Sequence, residues 1–293
     1  SCAMAKNHRV QGDAPLSELL RAPRGAVDVT TIPTDAAPGY PGKGKADADA
    51  LREGMASELS DLQERLFANG RATPETAPRV LVLLQGMDTS GKGGIIRHAI
   101  GLVDPQGIQL RAFKAPTAEE RAHDFLWRIT NAVPTPGMIG IFDRSQYEDV
   151  LIVRVDGLVP PDVWGARYDQ INAWEADLAA KGCTLIKCML HVSPEEQKAR
   201  LAARLEGPDK YWKYNPGDLD SRAKWDDYMA AYSDALTRCN TDAAPWYVIP
   251  ADKKWYRDWA LAELLREKLT DMHLEWPAPN FDVAVEQARV AAS

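Results

Sequence analysis

The sequence predicts an α/β fold, a parallel sheet with helices on both faces, on three observations. Short aliphatic runs bounded by turn residues alternate with stretches of helical periodicity. A glycine-rich turn joins the first of these runs to a helical stretch, and two later helix starts carry explicit capping signals. The strand candidates are Val80 to Leu84, Ile108 to Phe113, Met138 to Phe142, Thr184 to Val192 and Trp246 to Ile249. In sheets of this kind a ligand sits beyond the carboxyl ends of the strands, where Gly86, Lys114 and Asp143 fall.

Taken in order, residues 1–45 are rich in Pro, Gly, Ala and Asp, with breakers at Ile32-Pro33, Ala37-Pro38-Gly39 and Pro41-Gly42. They read as an extended N-terminal arm lying on the surface or against a partner subunit; Ser1-Cys2-Ala3 ahead of Met4 reads as an expression remnant. Leu51, Met55, Leu59, Leu62 and Leu66 recur at helical spacing, which predicts one amphipathic helix from Ala46 to Ala68. After the first strand, Ile95, Ile96, Ala99, Ile100 and Val103 form the apolar stripe of the next helix. Thr117-x-x-Glu120 is a capping box, and Ser193-Pro194-Glu195-Glu196 joins an N-cap serine to proline at the first helical position. Residues 46–275 form the expected domain, and residues 276–293 a tail with one weakly amphipathic helix.

Composition narrows the function. A net charge of −7 and a pI near 5.4 exclude a general nucleic-acid binder, so any polyanion must meet a local cationic groove. Cys183 and Cys188 lie on opposite faces of one strand with no C-x-x-C partner, which implies buried, reduced thiols. The longest apolar run is Val80 to Leu84, far short of a membrane span, and no signal-peptide core is visible; a soluble cytoplasmic enzyme is the expectation.

Gly86-Met87-Asp88-Thr89-Ser90-Gly91-Lys92-Gly93 lies between a strand and a helix, the context in which a G-x4-G-K string becomes a phosphate-binding loop. Glycines let successive amides and the helix N-terminus point at one anion, and Lys92 adds a mobile positive charge. Gly93 stands where nucleotide-hydrolysing P-loop proteins carry a Ser or Thr that ligates Mg²⁺, so the metal needs other oxygens, of which Asp88 is the nearest. A second carboxylate, Asp143, ends the third strand in Ile141-Phe142-Asp143-Arg144-Ser145, where it is either a metal ligand or a strand-end turn residue. Arg144 is its neutralising neighbour, placed to bridge phosphate oxygens or to make a surface ion pair. Lys114 follows the second strand and faces either a phosphate chain or water.

Chemistry concentrates again between Glu195 and Asp227. Arg200 and Arg204 share a helix face, and the turn-rich segment Gly207 to Gly217 brings Lys210, Lys213 and three aromatics. Interspersed Glu206, Asp209, Asp218 and Asp220 make this a patterned lid, about residues 200–225, or an ordinary helix-to-helix loop with snorkelling basic residues. The fifth strand leads into Asp252-Lys253-Lys254-Trp255, which lacks the N-K-x-D order of a guanine-reading loop.

These four motifs, the loop at 86–93, Phe142-Asp143-Arg144-Ser145-Gln146-Tyr147-Glu148-Asp149-Val150-Leu151, the lid from Trp212-Lys213 to Trp225, and Pro245-Trp246 to Trp255-Tyr256, resemble the polyphosphate kinase 2 family in order and content. The resemblance covers about residues 46–275, and Tyr147-Glu148-Asp149-Val150-Leu151 looks most like the class III members. It implies a P-loop kinase-like (thymidylate kinase-like) fold with a helical lid, Mg²⁺ (with Mn²⁺ as an alternative), a homo-dimer or homo-tetramer, and phosphorylation of AMP and ADP by inorganic polyphosphate. It carries catalytic roles onto Asp88, Lys92, Asp143, Arg144, Arg200 and Arg204, with Asp88 and Asp143 as metal ligands. Phosphate binding is expected of Gly86, Met87, Thr89, Ser90, Gly91, Gly93, Lys114, Lys210 and Lys213, and nucleotide binding of Tyr147 and Glu148. The rival readings are an ATP-dependent P-loop nucleotide or nucleoside kinase and a P-loop regulatory protein that binds without turnover.

Overall fold

The computed structural model describes residues 14–293; Ser1 to Asp13, with Cys2 and the start of the expected arm, lie outside the described residues. Five strands, β1 (Arg79–Gly86), β2 (Ile108–Ala112), β3 (Ile139–Asp143), β4 (Cys183–His191) and β5 (Trp246–Pro250), form one parallel sheet in the order β2-β3-β1-β4-β5. Every expected strand is present, and each end falls within two residues of the sequence reading. β1 holds the centre because Val80 to Leu84 are apolar on both faces, as a strand covered on both sides by helices requires. Successive residues go to opposite sides. Val80, Val82 and Leu84 pack with the helices Ala56–Ala72 and Lys254–Asp271, whereas Leu83 packs with Pro161–Ala180 and Trp225–Arg238.

The one helix expected at Ala46 to Ala68 is two, Lys45–Glu53 and Ala56–Ala72. The chain tightens at Gly54 and Met55, where the Met55 amide reaches the Arg52 carbonyl at 3.1 Å, a three-residue step that ends the first helix. The apolar stripe survives the break: Leu59 and Leu66 are fully buried and Leu51, Met55 and Leu62 pack beside them. The helix after the loop is also shorter than its apolar stripe, ending at His98 before a 3₁₀ turn that carries Ile100.

Residues 14–45 run along the β5 edge of the sheet. The Ala22 amide donates to the Trp246 carbonyl at 2.8 Å, and Leu16, Leu20, Val27 and Val29 are buried. This strap pairs with the open edge at Arg21 and Ala22 and then bonds the helix Trp225–Arg238 through Val27 and Val29. Cys183, Cys188 and Cys239 are buried free thiols. At the other end of the chain, Val283–Ala291 is a helix that buries nothing. Among the described residues no helix is long and apolar enough to cross a membrane.

Candidate active site

Parallel pairing brings the ends of β1, β3 and β4 together, with Leu84 beside Asp143 and Gly86 beside Leu190. The chain leaves β1 at Gly86, where a Cβ would lie 2.4 Å from the Ser90 hydroxyl and 2.7 Å from the Leu190 carbonyl, so only glycine fits. It turns through Thr89 (φ 70°) and Gly91 (φ 107°) and enters the Lys92–His98 helix. Thr89 in the left-handed region is local strain of the kind that functional loops store. The side-chain hydroxyls of Thr89 and Ser90 are buried without a protein partner, and phosphate oxygens would supply one.

Lys92 lies back across the loop, its Nζ donating to the Gly86 carbonyl at 3.1 Å. Burial and then the Arg144 guanidinium push its pKa down, while Asp143, Asp88 and Glu148 oppose that shift. The five charged groups named from the sequence around the P-loop therefore converge in one place. Arg144 is held in the left-handed region (φ 64°), its amide donating to the Leu84 carbonyl at 3.0 Å. From there its guanidinium reaches Glu148 at 3.2 Å and Asp88 at 3.5 Å.

The lid closes one side. Asn215, Gly217, Asp218 and Ser221 face Gly86, Met87, Asp88, Arg144 and Glu148 across a cleft of about 220 Å³, with Tyr228 and Tyr232 at its back. Asp218, not singled out from the sequence as a site residue, sits beside Asp88; burial and then that neighbouring carboxylate raise its pKa, against the pull of Arg204. Two carboxylates at close range suit a small hard cation. Among the described residues no group of three or more His, Cys, Asp or Glu could hold a metal unaided. Mg²⁺ asks for less, one or two carboxylates completed by substrate phosphates and water, and Asp88 and Asp143, which both act on the Lys92 charge, are the carboxylates that would hold it. A larger depression, about 590 Å³, lies between the strap at Thr30 to Asp35 and the start of the Pro194–Ala203 helix, and it shares no lining residue with the cleft.

The structure also places the remaining expected site residues. Tyr147 is fully buried: its phenol donates to Glu175 at 2.9 Å and accepts from Lys187 at 2.6 Å, so it faces the interior and not a nucleotide. Within the 3₁₀ turn Gln146–Val150, Gln146 and Tyr147 both turn inward to Glu175, whereas Glu148 turns out to Arg144. Arg200 is 7 % exposed and spends its donors on Glu196 and on the carbonyls of Thr89, Ala251 and Asp252, which leaves little for a transferring phosphate. Lys210 pairs with Glu206 at 3.9 Å and Lys213 lies over the Trp212 ring, so both lie against the lid's own side chains. Lys114 is exposed at the end of edge strand β2, where its carbonyl accepts from Arg128. Arg204 bridges within the lid, donating to the Lys213 carbonyl at 3.0 Å and lying 3.6 Å from Asp218.

Sequence reasoning missed Gln197, Arg222, Lys254 and Arg257. Lys254 sits close enough to Arg200 and Arg257 that, after burial, these cations depress its pKa. The signal was present in Lys253-Lys254 directly after β5, at the sheet's ligand-binding end.

Comparison with known proteins agrees with this architecture. The polyphosphate kinase 2 family model matches residues 50–277. The AMP/ADP-polyphosphate phosphotransferase of Meiothermus ruber is 42 % identical over 258 residues, 88 % of this chain and 94 % of that protein. The ADP-polyphosphate phosphotransferase of Rhodopseudomonas palustris is 38 % identical over 267 residues, 86 % of this chain and 88 % of that one. The crystal structure of polyphosphate kinase 2 from Arthrobacter aurescens TC1 superposes with a TM-score of 0.92 at 49 % identity, covering 97 % of this chain and 99 % of that chain. A P-loop whose lysine is ringed by Asp88, Asp143, Glu148 and Arg144, on a five-stranded parallel sheet matched along nearly its whole length, leaves one assignment: the chain belongs to the polyphosphate kinase 2 family.

Proposed function

We propose that this protein transfers the terminal phosphoryl group of inorganic polyphosphate to the terminal phosphate of AMP and of ADP, reversibly. The observation that carries the reading is the single cluster of Lys92, Arg144, Asp88, Asp143 and Glu148 at the mouth of the loop, a mixed charge set suited to two polyanions meeting end to end. Similarity to the Meiothermus ruber phosphotransferase, named for both acceptors, supports the choice of AMP and ADP.

An oxygen of the acceptor's terminal phosphate attacks the terminal phosphorus of the polyphosphate. The bridging P–O bond breaks, and its electron pair stays on the shortened chain. One phosphoanhydride is exchanged for another, so direction follows mass action. The loop amides and Lys92 hold the donor, Arg144 neutralises charge on the transferring group, and Glu148 fixes the Arg144 fork. Asp88 and Asp143 would hold Mg²⁺, which when bound neutralises the phosphate oxygens. Asp218 and Arg204 bring the lid against the loop and keep water from the reacting phosphate. The catalytic unit is residues 46–275, working as a homo-dimer or homo-tetramer in the cytoplasm.

Product analysis with Mg²⁺ and polyphosphate, AMP and ADP supplied separately, tests the reading. ADP and ATP from AMP, ATP from ADP, and loss of both in Asp143→Asn are the expected results. Activity with ATP as donor and none with polyphosphate would overturn it.

A further inference from the structure

Three consecutive carbonyls of the P-loop are gripped from behind. Gln197 Nε2 donates to the Asp88 carbonyl at 3.0 Å, Arg200 Nη1 to that of Thr89 at 2.9 Å, and Arg257 Nη1 to that of Ser90 at 3.4 Å. The donors come from two helices, Pro194–Ala203 and Lys254–Asp271, and are 0 %, 7 % and 3 % exposed. Peptide planarity sets each carbonyl opposite the amide that follows it. Holding the carbonyls of 88, 89 and 90 toward the two helices therefore turns the amides of Thr89, Ser90 and Gly91 the other way. The Ser90 amide is spent on the Met87 carbonyl at 3.0 Å, which leaves those of Thr89 and Gly91 for an anion.

The glycines make room for this grip. A Cβ on Gly91 would lie 1.8 Å from Arg257 Nη1, and one on Gly94 would lie 2.4 Å from Arg257 Nη2. Gln197 has a second partner. Its Oε1 accepts from Arg222 Nη1 at 3.1 Å, and the same nitrogen donates to the Pro194 carbonyl at 2.7 Å. Arg222 belongs to the lid helix Gly217–Ala223, so one amide side chain touches the lid with its oxygen and the loop with its nitrogen.

We propose that Gln197, Arg200 and Arg257 are positioning residues that aim the P-loop amides at the donor phosphates, and that the Arg222–Gln197 bond couples this aim to the posture of the lid. The proposal rests on the reading of the loop as the polyphosphate site.

Its test uses the full chain with Gln197→Met, Arg222→Gln and the double variant, measured by hydrogen exchange of residues 86–93 without substrate and by calorimetric binding of tripolyphosphate and of AMP. Each single variant should raise exchange in the loop and weaken tripolyphosphate binding roughly three- to tenfold, the span of one hydrogen bond, with AMP binding unchanged. The double variant should match Gln197→Met, because both changes cut the same link. Arg257→Lys, which keeps the charge but not the planar fork, should also loosen the loop. Unchanged loop exchange, equal losses of tripolyphosphate and AMP binding, or additive effects in the double variant would overturn the proposal. The exchange readout needs no turnover, so a failure of the polyphosphate assay would sink the functional reading and leave the clamp to be judged separately.

Discussion

Replacing Lys187 by methionine deletes one half of an ion pair sealed beneath the sheet. The Lys187 ammonium has three acceptors, the Tyr147 hydroxyl at 2.6 Å, Glu175 Oε1 at 2.8 Å and the Cys239 carbonyl at 2.8 Å, one for each of its protons. Glu175 in turn accepts from Lys187, Tyr147 and Gln146, and neither charged side chain has any exposed surface. Burial drives the Lys187 pKa down and the Glu175 pKa up, and each partner opposes the shift in the other. With all three ammonium protons and both carboxylate oxygens engaged, the charged form is solvated by protein in place of water. The Lys187→Met change would leave the Glu175 carboxylate with two neutral donors, and breaking such a pair costs about 3–5 kcal/mol. In a chain of this size that is a fall in Tm of roughly 5–8 °C. Lys187→Met with Glu175→Leu removes both charges but leaves Tyr147 and Gln146 unpaired at about 1–3 kcal/mol each, so the double variant should cost about as much as the single one and far less than two independent losses. Urea unfolding of the single and double variants at pH 7 measures both. A single variant within about 1 kcal/mol of the wild type, well below the cost of an uncompensated buried charge, would refute the reasoning.

Three other outcomes are expected on the same geometry. Gly91→Ala puts a methyl into the Arg257 guanidinium and an L-residue at φ 107°, so it should cost about 1–3 kcal/mol and abolish tripolyphosphate binding, read by unfolding and calorimetry. Asp149 is raised to about 6 by burial, against Arg167 and Arg128 and with Glu148 and Asp124 adding to the rise. The folded state therefore binds its proton more tightly than the unfolded chain. Stability falls as pH climbs from about 4 to about 6, by an amount on the order of 3 kcal/mol, and Asp149→Asn should flatten that slope in unfolding measured across the window. Deleting residues 279–293 should leave the unfolding free energy within about 0.5 kcal/mol, since the Val283–Ala291 helix buries no side chain; a larger loss would mean that helix packs against something in solution.

What the sequence made legible follows from how each feature is encoded. Strand β1 and the loop after it were readable because side-chain type carries the information: aliphatics on both faces, glycine where a Cβ would strike Ser90, lysine at the helix start. The place of Asp143 was readable because the apolar run before it marks where β3 ends, beside the end of β1. Tyr147 and Arg200 were misplaced for a different reason. Their partners are a buried carboxylate from a distant helix and main-chain carbonyls, and a carbonyl acceptor leaves no mark on residue identity. The clue lay in helix phase. Gln197, Arg200 and Leu201 recur at the spacing of one buried face, whereas Arg204 falls one turn on toward the lid. The same logic applies to Lys187, a lysine inside the apolar run of β4 that needs a buried acid, and to Arg257, which lies among Tyr256, Trp259 and Ala260 on a buried helix. A cation inside an apolar pattern identifies a buried partner more often than a ligand, and here the partner of two such arginines is the P-loop itself. Charges at strand ends can be read from the chain alone; the residues that hold backbone carbonyls become visible only when those carbonyls are seen.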